Sequence, residues 1–579
     1  MKHLSAGGLA PCSLTIVIAV LLTVVASAHV GSPDVFLDGH AGPYRLFVTI
    51  RPPRVIPGVA DVEILAADSK IDEVHIVPLP LVGAAAQFAP VPDLAIRSKE
   101  DPRLFTGHLW MMTIGEWQVR ISVTGNQGPG TLAVPVPTLP QSTLAMSPTV
   151  KATLVAFMTM LSLGVVAIVA AIAREGVLES GVPPQRDAIR RGRLAGAVAA
   201  IIVCVVLFLG NKWWNAEAST YSGRIYKALQ LTASVEGGAV SPTLKLAVHD
   251  PGWIFTRRVD DFIADHDHLM HLFVLTPSLD GFWHLHPTET SASAFEQRLP
   301  DLPAGRYELF ADVVHRTGVD ETLTAKLDSP AVAGAALSGD DSMWSGSLLT
   351  RPGGSAPADP PRLPPHRAGK RALGTPALRS WGPREPHSAF GGLASGSLTP
   401  KSNASSGGGS RIVWLREGAL TTKRLTMFTF RVEDENGQPA TDLELYMGMP
   451  GHAIFVRKDL RIFAHVHPAG STPMATLTLA SGDQAPLHVH GNATLPSVVT
   501  FPYGFPEAGD YRIFVQVKRG GHIQTAAFDA HVTDQGPRTD QGPRRDQGPR
   551  TDQGPRTDQA PGTKDQGPTE APARRSRSR

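Results

Sequence analysis

The chain has 579 residues, of which 42% are hydrophobic and 18% are charged, and its formal net charge is +2. This length predicts several domains rather than a single core. The small net charge gives no bulk electrostatic basis for binding nucleic acid. The two cysteines, Cys12 and Cys204, fall in or beside apolar segments, which excludes a disulfide framework and a cysteine-based zinc site.

The first residues have the pattern of a secretory signal peptide over residues 1–28. Lys2 supplies a positive start, an apolar run covers Leu14 to Val25, and Ala26-Ser27-Ala28 is a small-residue cleavage site. Cleavage would make His29 the N-terminal residue, whose amine and ring nitrogen could bind one metal ion. The alternatives are an exposed end without a metal role and an uncleaved membrane anchor.

Residues 29–145 predict a first β-sandwich module. Its closing strand, Gly115 to Ile121, has a turn glycine, an aromatic residue two positions later and alternating apolar residues. The same signature recurs at Gly305 to Phe310 and at Gly509 to Phe514. The chain is therefore predicted to be mainly β, with three extracytoplasmic β-sandwich modules.

Two apolar runs predict transmembrane helices at 150–173 and 194–210, and Trp213 and Trp214 are suited to the membrane interface. The intervening loop, 174–193, is rich in arginine and is predicted to be cytoplasmic. Both flanking regions would then lie outside. We therefore expect a bacterial cytoplasmic-membrane protein whose modules face the periplasm or the cell exterior.

The second and third modules are predicted at 228–330 and 411–533, and their shared motifs indicate a duplication. The segment between them, 331–410, is rich in Pro, Gly, Ser and Arg and predicts a disordered linker. From residue 534 to 579 the chain repeats Asp-Gln-Gly-Pro-Arg-Thr with degenerate copies. These repeats lack apolar residues that could stack inward, so we expect a disordered tail.

A histidine block occurs in both modules. His271 is followed by His284-Leu285-His286-Pro287, and His452 is followed at the same thirteen-residue spacing by His465-Val466-His467-Pro468. Alternation puts both histidines of a His-x-His strand on one sheet face. Each copy therefore predicts a metal site between two strands of one hairpin.

The third module is the preferred site, with Met447, Met449, His452, His465 and His467 as ligands. Imidazole together with thioether favours copper, as Cu(I) or Cu(II). In the second module His271, His284 and His286 are joined by His266 and His268, whose aspartate neighbours also suit zinc. The alternative is that the histidines are structural and the methionines belong to the core.

These motifs resemble those of a known class of proteins. The runs Asp265 to Val274 and Tyr446 to His452 resemble bacterial exported modules associated with copper and other heavy-metal handling. The stretch from His29 to Tyr44 is similar to YtkA-like (FixH-like) exported domains. The resemblance implies immunoglobulin-like sandwiches and an extracytoplasmic copper protein or exporter as the partner.

No sequence pattern for catalysis is present. The chain lacks a nucleophile elbow, a phosphate-cradling glycine loop and a His-Glu-x-x-His motif. We therefore expect a membrane-anchored metal-binding protein that is not an enzyme and that captures, buffers or delivers copper. The alternative is a surface interaction or scaffolding protein with structural histidines.

Overall fold

The computed structural model describes residues 34–67, 71–179, 181–237, 242–253, 257–346, 411–416, 418–481 and 495–534. The predicted signal peptide and His29 lie outside the described residues. The same holds for the predicted linker from 347 to 410 and for the predicted tail from 535 onward. Within the described part the protein is mainly β and contains several antiparallel sheets, as the sequence predicts.

The first module contains strands β1 Val35–Ala41, β2 Tyr44–Arg51, β3 Gly58–Ala66, β4 Ile71–Pro80, β5 Asp93–Leu94, β6 Ile96–Arg97, β7 Leu104–Met111, β8 Gly115–Gly125 and β9 Gly128–Thr138, with a 3-10 turn at Ala84–Gln87. Two sheets of order β1-β2-β3-β7-β6 and β5-β4-β8-β9 pack against each other. Alternating apolar residues of both sheets face inward and form one core, as expected for half-buried antiparallel strands.

Two long helices follow, α1 at Pro148–Glu175 and α2 at Arg186–Gly223, and both are long and apolar enough to cross a membrane. Helix α2 begins at Arg186, so part of the predicted loop 174–193 is helical, and it continues well beyond residue 210. Most apolar side chains of both helices are exposed. Small residues allow the two helices to lie close together, since a Cβ on Gly192 would lie 2.9 Å from the Ala170 carbonyl oxygen.

The second module contains β10 Gln230–Glu236, β11 Thr243–His249, β12 Phe262–Ile263, β13 His271–Leu275, β14 Gly281–Leu285, β15 Thr288–Ser291, β16 Ala294–Arg298, β17 Gly305–His315, β18 Asp320–Ser329 and β19 Ser342–Ser345. The sheets have the orders β10-β11-β16-β15 and β12-β17-β13-β14-β19, with β18 paired to β17. Strand β19 differs from the sequence expectation, because it lies in the segment predicted to be a disordered linker. It pairs with β14 and buries Trp344, so residues 342–345 of the predicted linker form a strand.

The third module contains β20 Arg411–Trp414, β21 Leu420–Thr421, β22 Thr426–Glu433, β23 Leu443–Glu444, β24 His452–Arg457, β25 Phe463–Val466, helix α3 Met474–Ser481, β26 Val498–Tyr503, β27 Gly509–Arg519 and β28 His522–Thr533. One sheet has the order β20-β22-β26. The other has the order β21-β28-β27-β24-β25, with β23 paired to β27. In both the second and the third module, the histidine-bearing hairpin lies next to the long closing strand.

The second and third modules pack face to face through these histidine-bearing sheets. Phe310 stacks on Phe463 at a centroid distance of 4.4 Å, and Phe282 stacks on Phe514 at 4.5 Å. The two contacts are reciprocal, because Phe282 and Phe463 are equivalent in the duplication and so are Phe310 and Phe514. An approximate twofold relation therefore connects the modules. It explains why β13, β14 and most of β24 are buried on both faces.

The first module packs against the third module at the loop that follows strand β25. Phe36 lies in the hydrophobic core of the third module. The Phe36 carbonyl accepts a hydrogen bond from the Ser471 amide at 2.9 Å, and the Asp38 amide donates to the Ala469 carbonyl at 2.8 Å. These contacts fix the chain just after His467.

Candidate metal centre

The first histidine group lies on one face of the β13–β14 hairpin. Phe273 pairs with His284 across the two strands, and alternation directs His271, His284 and His286 away from the core of their own module. That face is covered by the third module, and the three side chains are only 2%, 0% and 9% exposed respectively. The histidines are therefore buried between two modules.

These three residues form what we call the first triad. Each offers one ring nitrogen, and the three nitrogens lie within 4.8 Å of one another. The closest approach is 3.3 Å, between His271 Nδ1 and His284 Nε2. Three converging imidazole nitrogens are a donor set suited to Zn, Cu or Ni.

Acceptors hold the second ring nitrogen of every histidine in the first triad. His271 Nε2 donates to the Asp265 carbonyl at 3.0 Å, and His284 Nδ1 donates to Gln516 Oε1 at 2.9 Å. His286 Nδ1 donates to Asp341 Oδ1 at 3.1 Å. Such outer contacts fix the tautomer and orientation of metal-binding histidines. The nitrogens left for a ligand are His271 Nδ1, His284 Nε2 and His286 Nε2.

Further hydrogen bonds hold the acceptors Gln516 and Asp341 in place. The Gln516 amide nitrogen donates to the hydroxyls of Ser342 and Thr525, at 2.5 Å and 3.3 Å, and this directs the amide oxygen toward His284. Asp341 also accepts from the His286 backbone amide at 2.9 Å. His286 Nε2 has no hydrogen-bond partner within the described residues. The first triad is thus oriented before any ligand binds.

A second triad is shared by both modules: His266 comes from the second module, and His452 and His467 come from the third. One ring nitrogen from each lies within 4.8 Å of the others, and the ring centroids are 4.9 to 5.1 Å apart. His452 is completely buried, and neither of its ring nitrogens has a hydrogen-bond partner among the described residues. This triad exists only when the two modules are in contact.

A tight turn positions the His266 side chain in the second triad. His266 and Asp267 have φ of 52° and 68°, and the equivalent Met447 and Gly448 have φ of 52° and 77°. Two successive positive φ values between paired residues are typical of a type I′ hairpin turn. The duplicated modules therefore present a histidine and a methionine at the same backbone position.

The methionines differ in their surroundings. Met449 contributes to the hydrophobic cluster around the first module's core, and Met270 lies in the core of the second module. Met270 is thus on the opposite side of its strand from His271, as alternation predicts. Met447 is 9% exposed and belongs to none of the large hydrophobic clusters.

His465 lies between the two triads. Its ring centroid is 5.5 Å from that of His271 and 5.4 Å from that of His452. Its Nδ1 lies 3.3 Å from Asp312 Oδ2, and its Nε2 has no hydrogen-bond partner in the described part of the chain. The His465–Asp312 contact is the twofold counterpart of His284–Gln516. Asp312 follows Tyr307 by five positions, and Gln516 follows the equivalent Tyr511 by five positions.

His268 lies beside the first triad. Its ring stacks on His286 at 4.0 Å, its Nε2 is 3.4 Å from Asp340 Oδ2, and its side chain is 26% exposed. It therefore forms the outer edge of the cluster and covers His286 from solvent.

Burial controls the protonation of the cluster. Desolvation lowers the pKa of His271 to about 3 and that of His465 to about 4. Desolvation also lowers the pKa of His284, His286, His452 and His467 well below the ordinary value. Neutral imidazole is the form that binds a metal ion, so the rings are ready for coordination near neutral pH.

The structure changes the predicted sites in two ways. The sequence indicated a separate site within each hairpin. The second module's histidines converge within one hairpin, but both groups are buried at the module interface. His452 and His467 converge with His266 rather than with His465. The sequence analysis missed Gln516 and Asp341. Gln516 could have been found, because it and Asp312 are polar residues at matching positions of two apolar closing strands.

Comparisons with known proteins add little to this description. A model of a family described as a domain of unknown function, DUF8832, matches residues 406–534, and no model of a YtkA-like, FixH-like or copper-binding domain matches. No curated protein matches the chain.

The similar solved structures include dimeric latent PorU from Porphyromonas gingivalis, with 8% identity and a TM-score of 0.12, covering 83% of this chain and 32% of that one. Salmonella α2-macroglobulin has 7% identity and a TM-score of 0.17, with coverage of 87% and 24%. A protein described as membrane-anchored from Corynebacterium diphtheriae has 8% identity and a TM-score of 0.13, with coverage of 86% and 95%. The chain thus spans a third or less of the first two proteins, and similarity at this level carries no functional argument.

Proposed function

We propose that this protein is a membrane-anchored, extracytoplasmic metal-binding protein that captures copper and buffers it or delivers it to a partner. The observation that carries the proposal is the first triad. Three buried imidazole nitrogens converge, while acceptors hold the other nitrogen of each ring. Preorganised outer contacts of this kind are a property of metal-binding histidines.

The second support is the energetic cost of the cluster without a ligand. A buried polar atom that lacks a hydrogen bond costs about 1–3 kcal/mol. Among the described residues, His452 has two such nitrogens, and His286 and His465 have one each. A bound metal ion would satisfy one nitrogen of each ring, which would explain why so many polar rings are kept in a buried interface.

Imidazole alone does not distinguish copper from zinc or nickel. The argument for copper rests on Met447, which occupies the turn position that His266 occupies in the other module. The approximate twofold relation would bring Met447 toward the first triad, as His266 approaches His452 and His467. A thioether beside three imidazoles would favour Cu(I), and zinc is the alternative.

The membrane location rests on the two apolar helices. Tyr226, which follows α2, donates its backbone amide to the Pro140 carbonyl at 2.7 Å, ahead of α1. The first and second modules are thus joined to the same end of the helix pair. With the arginine-rich segment at the other end in the cytoplasm, immunoglobulin-like modules would face outward. An extracytoplasmic copper protein or exporter would be the partner.

A second candidate function is a surface scaffold with structural histidines. It is favoured by the reciprocal contacts of His284 with Gln516 and of His465 with Asp312, which join the modules without a metal. In that case the cluster would serve only to hold the two modules together.

Metal titration of the full-length chain in detergent micelles distinguishes these candidates. Cu(I), Cu(II) and Zn(II) would be titrated in competition with chromogenic chelators of known affinity. The test variant is His284→Ala combined with His452→Ala, which removes one ligand from each triad. The matched control is His531→Ala, an exposed histidine of the third module.

The proposal expects stoichiometric copper binding by the natural protein and by the control, and its loss in the double variant. Absence of binding in the natural protein would contradict the proposal and favour the scaffold. Equal binding by the double variant would place the copper elsewhere and would also contradict it.

A further inference from the structure

A cavity of about 370 Å³ leads to the histidine cluster from one side of the molecule. His271, His465 and His467 line its inner wall, and Ala228 and Thr324, which also line it, are exposed. The cavity therefore connects buried ring atoms with the protein surface.

The charge that lines this cavity is negative. Asp265, Asp312, Asp320 and Glu321 line it, and no lysine or arginine is among the described lining residues. Glu321 is neutralised by Arg257, whose Nη1 lies 2.8 Å from the carboxylate. Three aspartates remain, and burial raises the pKa of Asp320 to about 7, so its full negative charge acts on the cavity at pH 8. Carboxylates in a low-dielectric cleft concentrate cations within it.

The inner end of the cavity offers a ligand atom. His465 lines the wall with a side chain that is only 6% exposed, and its Nε2 has no hydrogen-bond partner in the described residues. A cation that has passed the aspartates would thus meet a neutral imidazole nitrogen beside His271 and His467, which belong to the first and the second triad and line the same wall.

The cavity lies near the connections to the apolar helices. Gln141 and Tyr226 line it, and they lie just before α1 and just after α2. If the helices span a membrane, these residues place part of the cavity lining near the membrane surface.

We propose that this acidic cavity is the route by which metal cations reach and leave the two triads, with His465 as a ligand that lies between them. The inference rests on the proposed function and adds a path and a side of access. It assigns to Asp320 and to the rim a role in the rate of metal loading rather than in equilibrium affinity.

The test measures the rate of Cu(II) loading by stopped-flow quenching of tryptophan fluorescence, using the full-length chain in detergent. Thr324→Lys and Thr324→Glu form a matched pair, because both alter one exposed rim residue and differ in the sign of the charge. At low ionic strength we expect the lysine variant to load about tenfold more slowly than the glutamate variant. The difference should shrink at high salt, and the final copper stoichiometry should be equal.

Asp320→Asn provides a second test within the cavity, and we expect it to slow loading severalfold. Its control is Asp328→Asn, which alters an exposed aspartate paired with Arg306 outside the cavity lining. If copper binds with the natural stoichiometry but Thr324→Lys, Thr324→Glu and Asp320→Asn all load at the natural rate, the route is wrong and the proposed function stands. If the natural protein binds no copper, both proposals fail.

Discussion

The first and second triads share two equivalent positions of the duplicated modules, His271 with His452 and His286 with His467, but their third histidines and their surroundings differ. In the first triad all three rings come from one hairpin, and acceptors fix their outer nitrogens. In the second triad one ring comes from the other module, and His452 has no hydrogen bond among the described residues. The comparison shows that one sequence motif can produce a preorganised site and a site that depends on contact between modules.

The largest effect is expected when a ligand is removed from one triad at a time. Because a triad left with two imidazoles loses a direct ligand, His284→Ala should weaken one copper site by more than about 100-fold and leave the other, and His452→Ala should do the reverse. Isothermal titration of the two variants would report the affinity of each step. Loss of both sites in either single variant would mean that the histidines form one coupled centre.

Acid should destabilise the metal-free protein through both triads. A histidine whose folded pKa is about 3, such as His271, binds its proton in the unfolded chain near pH 6.5 but not in the folded one. Stability is therefore complete above pH 6.5 and falls as the pH drops toward 3. At pH 5 the loss is roughly 2 kcal/mol for each such histidine.

Buried carboxyls oppose this trend. Burial raises the pKa of Asp312 to about 6 and of Asp320 to about 7, so their protonation on acidification favours the folded state. Burial acts in the same direction on the pKa of Asp34, Glu116, Asp265 and Asp341. The histidine contribution is therefore isolated by comparing urea unfolding of the natural protein and of His271→Phe from pH 8 to pH 5, and we expect the natural protein to lose more stability on acidification. An equal loss in both proteins would contradict the burial of a neutral His271.

Removing an outer contact should affect the first triad more than the second. Gln516→Met keeps the length of the side chain but removes the shorter of two contacts to His284 Nδ1, which leaves the Tyr446 hydroxyl at 3.2 Å. We expect copper affinity at the first triad to fall about 10-fold, because the ring is held less firmly in its tautomer and orientation. The second triad serves as the internal control in the same titration, and an equal fall at both sites would show that Gln516 acts through the whole interface.

Exchange of the two turn residues gives the smallest and most selective effect. His266→Met and Met447→His each introduce the residue that the equivalent turn already carries at the same positive φ. His266→Met should lower zinc affinity at the second triad about tenfold while Cu(I) affinity changes little, because thioether suits Cu(I). Met447→His should raise zinc affinity at the first triad. Unchanged zinc affinities in both variants would exclude these positions as ligands.

The sequence by itself determined the local elements of this protein. Alternating apolar residues after turn glycines predicted the closing strand of each module, and two long apolar runs predicted the helices. The paired histidine blocks contain every ring of both triads except His266, because spacing within a hairpin is a local property. The helix and linker ends were less accurate: α2 runs to Gly223, and β19 forms only because β14 is available to pair with it.

Tertiary structure alone decided that the second triad takes its rings from two modules. The sequence shows that β13 and β24 are apolar, but it does not show that their second faces are covered by each other's modules. That packing brings His266 to His452 and Gln516 to His284, pairs separated by 186 and 232 positions in the chain. Burial at this interface, rather than the motif, lowers the pKa of the rings and leaves nitrogens available for a metal ion, because only the folded assembly excludes water from them.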